Sequence, residues 1–127
     1  MEHLIFLFGE AEKGQLCSPI PCRCLSELAD VFGHPPPESQ GLFYAIQALM
    51  YERRLIYFRV KEEGFSLEDY KRGLALLRNK EIVDYPTAIC MPGMGDARII
   101  DETSEMCFIL HSLLITTERD LYDYLTN

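Results

Sequence analysis

The chain has 127 residues, with 20 Asp and Glu against 12 Lys and Arg, so its net charge is −8; 48% of it is hydrophobic and 25% charged. That length suits a single domain over residues 1–127, able to bury about two-thirds of the surface that its unfolded form exposes, so neither a disulfide nor a metal staple is required. The composition excludes a disordered chain, and the acidic balance argues against nucleic-acid partners, which need a basic face, and against anionic membranes.

Leu4-Ile5-Phe6-Leu7-Phe8 is a continuous apolar run stopped by Gly9, which predicts a strand buried on both faces. Residues 10–23 are polar or rich in Pro and Cys and read as a long loop. Leu25, Leu28, Ala29 and Phe32 recur at helical spacing, with Gly33 at the stop position. The three prolines at 35–37 form a break that no helix crosses. Leu42, Phe43, Ile46, Leu49 and Met50 make the next helical stripe.

Leu55-Ile56-Tyr57-Phe58-Arg59-Val60 is the second predicted strand. Arg59 places it nearer a sheet edge than the first. Ser66-Leu67-Glu68-Asp69 resembles a capping box that opens a helix carrying Leu67, Tyr70, Leu74 and Leu77. Thr87-Ala88-Ile89-Cys90-Met91 is a third strand, broken by Pro92-Gly93-Met94-Gly95-Asp96. A helical face follows at Ile99, Ile100, Thr103, Met106, Cys107 and Leu110. Leu113-Leu114-Ile115-Thr116 is a short fourth strand, and Thr117-Glu118-Arg119-Asp120 can cap a last helix carrying Leu121, Tyr124 and Leu125.

Strands separated by helices imply crossover connections. The expected fold is therefore α/β: a small open parallel sheet of about four strands in the order 2-1-3-4, with helices on both faces in a Rossmann-like three-layer arrangement. No segment approaches the roughly 18 apolar residues that cross a bilayer, and Met1-Glu2-His3 lacks the positive leader of a signal peptide. A soluble cytoplasmic protein is expected, with Cys17, Cys22, Cys24, Cys90 and Cys107 as reduced thiols. Cys90 and Cys107 fall at core positions. The spacing of Cys17, Cys22 and Cys24 fits no zinc pattern; a reactive thiol fits that loop better than zinc does, and unreactive, partly buried cysteine is the ordinary expectation.

In open parallel sheets, ligands bind beyond the carboxyl ends of the strands where strand order reverses. Here that point lies between the first and third strands, which sets Glu10 and Glu12 opposite Gly93, Gly95 and Asp96. Gly93-x-Gly95 ahead of a helix is backbone that can approach a phosphate, although Arg98 stands where a dinucleotide fingerprint has its third glycine and no P-loop Lys follows. The plainer alternative is a tight turn at Gly95 and a helix cap at Asp96. Thr117 and Glu118 should reach the same edge, where Glu62, Glu63 and Asp120 add carboxylates that could hold Mg²⁺ through oxygen ligands.

Glu10 is the first candidate, because it caps no helix. Two functions are therefore expected: a binding domain for a small, nucleotide-like molecule at these strand ends, or a non-catalytic protein-interaction or regulatory subunit with an exposed sheet edge, which could also pair with its own copy.

Overall fold

The computed structural model describes residues 3–126. Ten elements follow in chain order: β1 (Leu4–Gly9), β2 (Pro19–Cys22), α1 (Leu25–Phe32), α2 (Gly41–Met50), β3 (Arg54–Arg59), α3 (Leu67–Leu77), β4 (Ala88–Cys90), α4 (Ala97–Leu110), β5 (Leu113–Ile115) and α5 (Glu118–Thr126). The five strands form one sheet in the order β2-β3-β1-β4-β5. β3, β1, β4 and β5 are parallel, in register from Leu4 against Arg54 and from Ile5 against Ala88. These are the four expected strands in the expected relative order.

The fifth strand corrects the reading of residues 10–23 as loop. β2 runs antiparallel to β3, with Ile20 opposite Tyr57 and Cys22 opposite Leu55. Pro19 and Pro21 concealed it, since proline cannot donate to a ladder. Alternate prolines remove N–H groups from one side of a strand only, which an edge tolerates when that side faces away from the sheet.

The apolar pattern sorts into two layers. Every residue of β1 is buried. Ile5 and Leu7 join Leu28 and Phe32 of α1, Leu42 and Ala45 of α2, and Leu121 and Leu125 of α5 on one face. Phe6 and Phe8 join Tyr70 and Leu74 of α3 and Ile99 and Met106 of α4 on the other. The period-2 alternation of a strand requires this split. Phe8 stacks on Tyr70, with ring centroids 5.0 Å apart. Gly73 lets α3 come this close, because a Cβ there would lie 2.6 Å from Phe8 Cζ.

The helix ends show which signals were local. Asp96 caps α4, its side chain accepting from the Arg98 and Ile99 N–H groups. Thr117 and Asp120 form a reciprocal capping box on α5: Asp120 N–H donates to Thr117 Oγ1 (3.2 Å) and Thr117 N–H to Asp120 Oδ2 (3.3 Å). The expected box at Ser66–Asp69 does not form. Ser66 Oγ turns back to the Glu62 backbone, and Asp69 accepts from Lys61 N–H at 2.8 Å, so both side chains close the preceding turn instead. Among the described residues, no helix is long and apolar enough to cross a membrane.

Candidate functional site

The carboxyl ends of β1, β3, β4 and β5 carry the loops in which the sequence places its candidate residues. The loop that leaves β3 meets both Glu10 after β1 and Gly93 after β4, where the crevice is expected. Glu63 is its centre. Its Oε1 accepts from Glu10 N–H (3.0 Å), Gly41 N–H (3.0 Å) and Ser39 Oγ (2.9 Å), and its Oε2 accepts from Gln40 N–H (2.7 Å). Glu10 answers by accepting from Glu63 N–H at 2.8 Å.

The N-terminus of α2 explains this arrangement. Gln40 at its N-cap makes no side-chain cap, and its first turn holds no acidic residue. The free N–H groups and positive dipole end of a helix attract an anion. Glu63 supplies that anion from 22 residues away.

Two tyrosines and two glycine contacts set the walls. Tyr57 Oη donates to the Glu10 carbonyl at 2.7 Å, and Tyr70 Oη accepts from Gly64 N–H at 2.7 Å. Burial, helped by the Glu63 carboxylate, raises the Tyr57 hydroxyl well above its usual range, and burial raises that of Tyr70 as well. Both phenols therefore stay neutral. A Cβ on Gly9 would lie 2.7 Å from Gly41 Cα, so β1 and α2 meet backbone to backbone. Gly64, at φ +85°, rests against Gly93, at φ +82°: a Cβ on Gly64 would lie 2.9 Å from the Gly93 carbonyl carbon.

The candidate residues divide between three places. Glu10 and Gly93 are brought to the same spot, joined through Glu63 and Gly64. Gly93, Gly95 and Asp96 line an open groove of about 410 Å³ with Gly64, Phe65 and Leu67. Asp96 is also held by Arg98, whose guanidinium lies 3.1 Å from Oδ2 and keeps the carboxyl below its usual range. Glu12 points away, accepting from His34 N–H at the end of α1 (3.1 Å).

Thr117 and Glu118 sit at the start of α5, on the other face of the sheet. There Tyr44, buried beside Cys90, Glu118, Asp120 and Glu63, has its hydroxyl pushed up to about 12, chiefly by burial. Among the described residues, no group of three or more His, Cys, Asp or Glu is arranged to hold a metal ion.

Sequence reasoning named Glu63 only as one acid among several, and it missed Ser39, Gly41, Tyr57 and Tyr70 as parts of this site. The available signal was a helix at Gly41 with no cap of its own, which requires a donor-satisfying acid from elsewhere. The thiols follow their surroundings. Cys24 is exposed ahead of α1, with Sγ 3.3 Å from Ser26 Oγ, and this hydroxyl lowers its pKa. Burial raises Cys22 and Cys107 to about 11, and raises Cys90 further. Cys90 and Cys107 are core residues, as their positions in the sequence imply. Compared with protein-family models, curated proteins and solved structures, the chain matches none.

Proposed function

We propose that the chain is a non-catalytic interaction domain that presents the β3–α3 loop to a protein partner. One observation carries this reading: Phe65 is 76% exposed on a loop clamped by Glu10, Glu63 and Tyr70. Holding a large aromatic ring in water on a flexible loop would cost entropy on binding. Here the clamp meets that cost in advance, as preorganised anchors do. The polar groups beneath the ring are already satisfied by one another, so the edge has few free donors for a nucleotide. Glu62 and Glu68 flank Phe65 in an acidic chain, which favours a basic segment bearing an apolar side chain.

A second reading, small-molecule binding in the groove beside Phe65, draws support from Gly95. No atom lies within 4 Å of where its Cβ would be, so its backbone is open to a ligand.

One experiment weighs the two. Fluorescence titration of wild type and Phe65→Ala against basic peptides carrying one central Leu or Phe should show binding that the variant loses by about tenfold or more. Thermal melts with nucleotides, phosphosugars and Mg²⁺ should stay flat. A melting point raised by about 5 °C with one of those small molecules, insensitive to Phe65→Ala, would replace the interaction reading with the ligand reading.

A further inference from the structure

The four parallel strands begin at one end of the sheet, and a second polar cluster gathers there. Backbone bonds from Arg54 N–H to His3 O, from Thr87 N–H to Leu4 O and from Leu113 N–H to Thr87 O bring His3, Arg53 and Thr87 to the strand starts. Tyr124 reaches the same place from α5. Its ring meets the His3 ring edge-on, with centroids 6.4 Å apart, and the Arg53 guanidinium carbon lies 5.7 Å from its centroid. His3, Arg53 and Tyr124 line a recess of about 470 Å³ with Leu113, Leu114 and Ile115 of β5.

This cluster holds donors without acceptors. Among the described residues, His3 Nδ1, Arg53 Nε and Tyr124 Oη are buried with no hydrogen-bond partner. Buried polar groups are nearly always paired, so three orphans side by side mark a missing acceptor. Arg53 can only donate, which leaves the Tyr124 hydroxyl proton unspent. Asp120 and Asp123 line the recess too, yet neither bonds these atoms. Asp120 stands at the far end, where its Oδ2 accepts from Thr116 N–H just past β5. Donors therefore sit where β5 begins and a carboxylate where it ends, with apolar side chains between. The four residues from Asp120 to Tyr124 rise about 6 Å along α5, and the three of β5 span about 10 Å. A plain anion is opposed by Asp120 and Asp123, whereas a plain cation leaves the orphaned donors unmet. A ligand bearing both charges answers both ends.

We propose that this recess binds a linear ω-amino carboxylate. Its carboxylate lies against Arg53, His3 and Tyr124, its ammonium toward Asp120 and Asp123, and its methylene chain along Leu113 and Leu114. Arg53 turns its Nε edge toward the incoming carboxylate, which accepts two N–H bonds from the guanidinium fork. In 6-aminohexanoate the two charges lie about 7 Å apart, the spacing that the recess offers. The recess shares no lining residue with the Phe65 groove, so the proposal stands or falls independently of the interaction reading above.

Titration calorimetry of the full chain with 6-aminohexanoate, hexanoate and hexylamine tests this. Wild type should bind 6-aminohexanoate with a dissociation constant on the order of 1 mM, and each one-ended molecule about tenfold more weakly or worse. Arg53→Gln should lower the affinity for 6-aminohexanoate to that for hexylamine, and Asp123→Asn should lower it to that for hexanoate. Phe65→Ala should bind as wild type does. Thermal melts show whether the two recess variants are folded, and if either is not, the three molecules on wild type decide alone. No heat with 6-aminohexanoate, equal affinity for hexanoate or hexylamine, or wild-type binding by both folded recess variants would each overturn the proposal.

Discussion

Glu10 and Glu63 hold each other across 53 residues of sequence: Glu10 N–H donates to Glu63 Oε1 at 3.0 Å, and Glu63 N–H donates to Glu10 Oε2 at 2.8 Å. The pairing closes the carboxyl end of β1 onto the loop after β3. The same Glu63 carboxylate caps α2, so one side chain joins three segments that are distant in sequence.

The two acids should therefore differ in their contribution to stability. Glu63→Ala leaves the N–H groups of Glu10, Gln40 and Gly41 and the Ser39 hydroxyl without their acceptor. A loss of about 2–4 kcal/mol is expected, or roughly 10 °C in melting temperature. Glu10→Ala removes one acceptor and should cost about 1–2 kcal/mol. Urea denaturation of both variants checks the order, and equal losses would contradict the central place given to Glu63.

The glycines of the two loops should behave in opposite ways. Gly9→Ala drives a Cβ into the Gly41 backbone, which cannot swing aside as a side-chain tip can. About 2–4 kcal/mol of destabilisation is expected from such overpacking. At Gly95 the space is open, and alanine should be neutral or stabilise by up to about 1 kcal/mol by restricting the unfolded chain. Thermal melts of the two variants decide it.

Alkylation should separate Cys24 from Cys22 and Cys107. Cys24, exposed and with its pKa lowered by the Ser26 hydroxyl, should react first with iodoacetamide near neutral pH, because the thiolate is the nucleophile. Cys22 and Cys107, held at about 11 by burial, should react only on unfolding. Peptide mass spectrometry over time gives the order. Ser26→Ala should slow the first modification without unfolding the protein.

Asp120 should make stability depend on acid. Hydrogen bonds from the Thr116 N–H, then the Thr117 N–H, hold its carboxyl below the usual range. A depressed folded-state pKa contributes stability above the unfolded value, and that contribution fades as pH falls through the folded one. At neutral pH Asp120→Ala should be less stable by roughly 0.5–1 kcal/mol, a figure kept small because the group is largely solvated. Near about pH 2 the two proteins should converge. A gap that stays constant between these pH values would rule out this linkage.

The sequence alone determined what local chemistry can encode. An unbroken apolar run at Leu4–Phe8 can only be a strand covered on both faces, and Asp96 and Thr117–Asp120 cap helices with partners two or three residues away. Periodicity and caps act over one or two turns, so they can be read before folding. Tertiary structure decided the rest. Pro19 and Pro21 became a strand because β3 offered them an edge, and Ser66 left its helix to bind Glu62. The end of β1 was tied to the loop after β3 because the cap that α2 lacked came from Glu63, with partners 22 to 53 residues away. An uncapped helix end states a need but not which distant residue meets it, and only chain geometry selects the nearest carboxylate.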